Sequence, residues 1–159
     1  MKRTSIIFLQ AVIALIGVLA IFALIRFPML EGRAVNLNLW EIYSDPFILY
    51  AYVASIAFFV ALYKAIKLLG YISSDKLFSV DAVKTLRTIR YCAIITGVLI
   101  VLAGIYIMIF HHEDDDPAGF MGMCILTTFI SVAVATAVAV LEKILQRAVD
   151  MKSENDLTI

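Results

Sequence analysis

The chain of 159 residues is 63% hydrophobic and only 16% charged, with a mean hydropathy of +0.98, against about 45–50% apolar and about 25% charged in soluble domains. A single small core cannot hide that apolar excess, which argues against a water-soluble globule and makes lipid the expected solvent. Thirteen basic side chains balance thirteen acidic ones, so the net cationic character that direct nucleic-acid binding needs is missing, and two cysteines are too few for a disulfide framework.

The first element is the apolar run 6–25, in which Gln10 is the one strongly polar member. At about 1.5 Å per residue, about 20 helical residues cross a hydrocarbon core of about 30 Å. A secretory signal peptide is the competing reading, because Lys2 and Arg3 precede the run. Signal h-regions, however, stop after about 7–15 residues at a small-residue cleavage site, whereas this run ends in Arg26, Phe27 and Pro28. It reads as an uncleaved anchor.

Residues 26–45 then alternate apolar and polar side chains through Val35, Asn36, Leu37, Asn38 and Leu39, which predicts an extended segment lying along the outer surface. Trp40 and Tyr43 suit an interfacial aromatic anchor. Ser44 or Asp45 can cap the next helix, and Pro46 fits its first turn, where the missing N–H costs nothing. The second span is 47–69, with Lys64 and Lys67 snorkelling toward headgroups.

In the following loop Ser79 is a good N-cap, Asp81 sits in the first turn against the helix dipole, and Phe78 can staple to Val83, so a helix is expected to start at Val80. Over residues 80–91 it reads as an amphipathic helix at the interface, with Val83, Leu86, Ile89 and Arg90 toward one side and Lys84, Arg87 and Thr88 toward another, running into a third span at 92–110. Its Lys84, Arg87 and Arg90 read most simply as headgroup anchors, with a specific lipid or protein docking site as the alternative. The fourth span is 120–141, where Thr127, Thr128, Ser131 and Thr136 can each bond a carbonyl one turn back and so remain tolerable in lipid. In the extension 142–159, Leu141, Ile144, Leu145, Ala148 and Met151 keep helical spacing, which predicts a helix projecting from the membrane and able to pack on the basic helix. Residues 153–159 lack that period and read as a frayed tail.

Basic residues set the orientation. Eleven of the thirteen fall before the first span, between the second and third, or after the fourth, and only Arg26 and Arg33 fall elsewhere. The expected fold class is therefore all-α, an integral membrane four-helix bundle with both termini cytoplasmic.

The closing residues, Leu145-Gln146-Arg147-Ala148 and then Asp150-Met151-Lys152-Ser153-Glu154-Asn155-Asp156-Leu157-Thr158-Ile159, resemble the signature end of a bacterial family of small four-span membrane proteins, the YoaS-like proteins, a domain of unknown function. The likeness extends through Leu77-Phe78-Ser79 and the span order. It implies a bacterial inner-membrane protein with no assigned reaction, no cofactor and no catalytic set, whose gene often lies beside one for a small helix-turn-helix regulator.

Candidate chemistry is sparse. His111, His112, Glu113, Asp114, Asp115 and Asp116 crowd the turn between the third and fourth spans, and imidazole with carboxylate is a divalent-cation ligand set. The adjoining Pro117 and Gly119 mark the same stretch as an ordinary solvated turn. Cys92 and Cys124 belong to opposite ends of their spans, too far apart for a disulfide, and read as packing thiols with acylation of Cys92 as the alternative. The four-residue repeats Ala57-Ala61-Ala65, Ala93-Gly97 and Ala133-Ala137 allow close helix approach, within one subunit or in a homo-oligomer. No hydroxyl has an acid or imidazole at its own depth to activate it, so an enzyme is not expected. The preferred expectation is a non-enzymatic membrane protein that binds a cytoplasmic partner such as a small helix-turn-helix regulator through Lys84, Arg87, Arg90, Lys152, Glu154, Asn155 and Asp156. The alternative is an oligomeric transport or resistance component.

Overall fold

The computed structural model describes residues 3–30, 38–110 and 118–156. Among them every regular element is a helix: α1 (Arg3–Leu30), α2 (Leu39–Tyr43), α3 (Pro46–Ser73), α4 (Val80–Phe110) and α5 (Ala118–Asp156). Four of these, α1, α3, α4 and α5, are long and apolar enough to cross a membrane. Large apolar side chains such as Phe22, Val53, Ile109 and Phe129 stand open along all four, the pattern expected when lipid is the solvent. The principal packing runs from α1 to α3, from α3 to α4, and from α4 to α5, the last pair being the most extensive.

Local chemistry sets the helix ends. Asp45 Oδ1 accepts from the Phe47 amide at 2.7 Å, with Pro46 next in the first turn, so α3 begins on a capping side chain and a residue that needs no partner. At the other end the Ser74 and Lys76 amides donate to the Gly70 and Tyr71 carbonyls, at 3.2 and 2.9 Å, and Asp75 takes the left-handed conformation (φ 55°) that reverses the chain. Ser79 opens α4: its Oγ accepts from the Ala82 amide at 3.3 Å.

The extended reading of 26–45 is corrected at the two ends that the structure describes; residues 31–37, with Val35, Asn36 and Leu37 of the alternating stretch, lie outside the described residues. The first helix continues through Pro28 to Leu30, and residues Leu39–Tyr43 form a short helix, with the Ile42 amide on the Asn38 carbonyl at 3.2 Å. At both of those ends local helical hydrogen bonds outweigh the extended preference. Continuation through Pro28 has a specific support. Proline at 28 supplies no N–H to the Leu24 carbonyl one turn back, and the Tyr52 hydroxyl of α3 donates to that carbonyl instead, at 3.2 Å. A freed backbone acceptor in an apolar span thus finds its partner on the neighbouring helix. Gln10 is served in the same way, donating to the Ile66 carbonyl at 3.5 Å, and the Tyr50 hydroxyl joins α3 to α4 through the Leu99 carbonyl at 2.7 Å.

The two ends of the molecule differ in kind. At one end Phe47 is buried among rings from the three other long helices, with centroids 6.5 Å from Phe27 of α1, 5.8 Å from Tyr106 of α4 and 5.9 Å from Phe120 of α5. At the other, Ala82, Val83 and Leu86 of α4 close on Leu145 of α5, flanked by Leu68, Tyr71 and Val149. Between them α4 and α5 run antiparallel in steady register. Gly104 lies against Cys124, and a Cβ placed on Gly97 would stand 3.3 Å from Ser131 Cβ. At 39 residues, α5 is about 58 Å long by rise, longer than a hydrocarbon core of about 30 Å. Residues 153–156, which lack apolar period, nevertheless continue the helix. No Gly or Pro lies between Gly122 and the end of α5 to stop it.

Candidate functional site

Glu142 is the one buried carboxylate among the described residues, 5% exposed overall. It sits on the face of α5 that meets α4, one turn before Leu145, and two arginines one turn apart on α4 converge on it. Arg87 Nε donates to Oε1 at 2.8 Å and Arg90 Nη1 lies 2.9 Å from Oε2. The α4–α5 register makes this possible, because positions 87 and 90 share a face at i, i+3 spacing. The two cations differ in environment: the Arg87 side chain is 52% exposed, the Arg90 side chain 24%, and the Arg90 guanidinium also lies 4.9 Å from the Tyr91 ring centroid. One carboxylate against two guanidiniums leaves the cluster with one positive charge in excess.

Glu142 is absent from the sequence-derived site because hydropathy counts a glutamate in the extension as polar and outward. The signal that finds it is its place three residues before Leu145 on the apolar side, opposite an arginine pair at helical spacing. Both arginines are engaged with Glu142 in addition to lying near the start of the third span.

The other expected site residues distribute along the same end. Lys84 is exposed on α4, three residues before Arg87, and Lys152, Glu154 and Asn155 are exposed on the last turns of α5. Asp156 closes that helix. Lys152 stands ten residues past Glu142, about 15 Å further along α5 by rise, so the two groups share an end of the bundle without forming one cluster. On the projecting part of α5, Leu145 is buried and Val149 half-buried, while Leu141, Ile144 and Met151 are exposed. The apolar residues there therefore serve two faces rather than one. The expected metal ligands His111, His112, Asp114 and Asp115 lie outside the described residues. Among the described residues no group of three or more His, Cys, Asp or Glu is placed to hold a metal ion. Both cysteines are free; Cys124 packs against Gly104, twelve residues from Cys92 along α4.

Of the small-residue repeats, Ala93 and Gly97 are buried where α4 meets α5, whereas Ala133 and Ala137 are exposed. Thr127 and Thr136 turn their hydroxyls back to the Met123 and Val132 carbonyls, at 2.7 and 2.8 Å. These hydroxyls are satisfied by their own helix and offer no activated nucleophile.

Four long apolar helices, with the Arg87–Glu142–Arg90 cluster at one end of the α4–α5 pair, define a small polytopic helical membrane protein. Residues 29–159 match the model of DUF2975, described as a protein of unknown function. The chain is 40% identical over 163 residues to the "Uncharacterized membrane protein YoaS" of Bacillus subtilis (strain 168), covering 100% of both chains. It belongs to the DUF2975 family. No solved structure matches it.

Proposed function

We propose that this protein is a non-enzymatic partner or regulator in the bacterial inner membrane, with both termini in the cytoplasm, that binds a cytoplasmic protein such as a small helix-turn-helix regulator through its charged end. The observation that carries the reading is the exposed seam on α5. Leu141, Ile144, Ala148 and Met151 follow one another at three- and four-residue steps, the spacing by which one helix receives another. Leu141, Ile144 and Met151 of this seam are open while Leu145 and Glu142 hold the opposite side against α4. Lys143, Arg147 and Lys152 border it and give a soluble partner a charged rim. The segregation of basic residues favours the cytoplasm for this end, and the gene neighbourhood implied by the family resemblance supplies the class of partner.

The test is recovery of partners from native membranes with three baits: the full chain, the chain lacking residues 153–159, and Ile144→Asp/Met151→Asp. A helix-turn-helix protein recovered with the full chain and lost with both altered baits, each still inserted in the membrane, is the expected result. Equal recovery with all three would refute the reading. Recovery of the chain alone, as a multimer, would move the assignment to an oligomeric transport or resistance component.

A further inference from the structure

A long apolar groove runs between α4 and α5, lined by these two helices alone, with a cavity volume of about 590 Å³, inside the range of about 300–1,000 Å³ typical of small-molecule sites. Ala93, Gly97 and Ala135 are buried along it, and Ile94, Val98 and Val132 are exposed at its sides. Thr128, Ser131 and Thr136 also line it, the last with its hydroxyl on the Val132 carbonyl, and the rest of the lining short of Arg90 is apolar. Along α4 the lining extends from Arg90 to Leu102, about 18 Å of rise, close to the depth of one leaflet, about half of a 30 Å core.

The end of the groove is not apolar. It is lined by Arg90, one of two arginines that share the single Glu142 carboxylate, so the guanidinium at the mouth is only partly neutralised. An apolar trough one leaflet deep, ending at a cation at headgroup level, has the shape and charge of one kind of occupant. We propose that the α4–α5 groove is a binding site for an anionic phospholipid, with one acyl chain along Ala93, Gly97 and Ala135 and the phosphate at Arg90. Glu142 would then have a second role: by fixing Arg90 from behind, it positions the guanidinium over the groove. The site is separate from the α5 seam and stands or falls without it.

The experiment uses the full chain in detergent with equimolar dioleoyl phosphatidylglycerol and dioleoyl phosphatidylcholine, and native mass spectrometry reads the lipid that stays bound. One retained lipid, with the glycerol lipid favoured at least about fivefold, is expected, since one basic side chain near an anionic surface supplies about that factor. Arg90→Gln should bring the two lipids near parity, Arg90→Lys should keep the preference, and Arg26→Gln, exposed on α1 and outside the groove lining, should leave it unchanged. Ala139→Phe, which places a ring in the groove from a half-buried position, should remove the retained lipid of either kind. It keeps the test decisive if Arg90→Gln does not fold. Undiminished preference in Arg90→Gln, an undiminished adduct in Ala139→Phe, or a second copy of the chain in place of lipid would overturn the proposal.

Discussion

Exchanging Glu142 for glutamine is expected to cost the folded protein about 2 kcal/mol, read as a lower denaturant midpoint in reversible unfolding from mild detergent. Removing one partner of a fully buried ion pair typically costs about 3–5 kcal/mol, because the surviving charge stays desolvated. The lower figure follows from where the survivors sit. Arg87 is half exposed and can turn to water or headgroups, while Arg90 is more enclosed and bears most of the loss. The complementary change should be worse: Arg90→Met leaves the Glu142 carboxylate, 7% exposed at its side chain, with only the more mobile Arg87. An unchanged midpoint in both variants would show that the cluster adds no stability.

The second large effect is expected at Gly97. A Cβ there would come within 3.3 Å of Ser131 Cβ, so Gly97→Ala asks α5 to yield by a few tenths of an ångström, while Gly97→Leu forces a branched chain against Ser131. Overpacking costs about 1–3 kcal/mol, and the upper part of that range is expected for Leu because the obstructing atom is attached directly to the α5 backbone. The graded pair is the diagnostic. A small decrease in midpoint for Ala and a large one for Leu supports the α4–α5 register, and equal tolerance of both would contradict it.

These two sites also mark what a sequence discloses about such a molecule. Apolar runs long enough for a bilayer are legible because length and composition alone decide them. Asp45 with Pro46, and Ser79 before Val80, are legible because capping is settled within a turn of the residue concerned. The Arg87–Glu142 pair is not, since its partners are 55 positions apart and the place of Glu142 three residues before Leu145 gains its meaning only once α4 is known to lie on that side. The same holds for Tyr52, whose value lies in a carbonyl left open by Pro28 on another helix. The α5 extension is an intermediate case: helical period identifies its apolar positions, but the split between Leu145 inward and Ile144 and Met151 outward depends on where α4 lies. Gly97 belongs to a legible small-residue repeat, while the neighbour it approaches is a matter of packing.

The orientation we propose puts the Arg87–Glu142–Arg90 cluster and the end of α5 in the cytoplasm. Its most direct test is a pair of fusions after Ile159 in a bacterial host, one to green fluorescent protein, which matures only in the cytoplasm when exported through the general secretory route, and one to alkaline phosphatase, which is active only outside. Fluorescence without phosphatase activity is the predicted result. Phosphatase activity without fluorescence would place this end outside the cell and contradict the account.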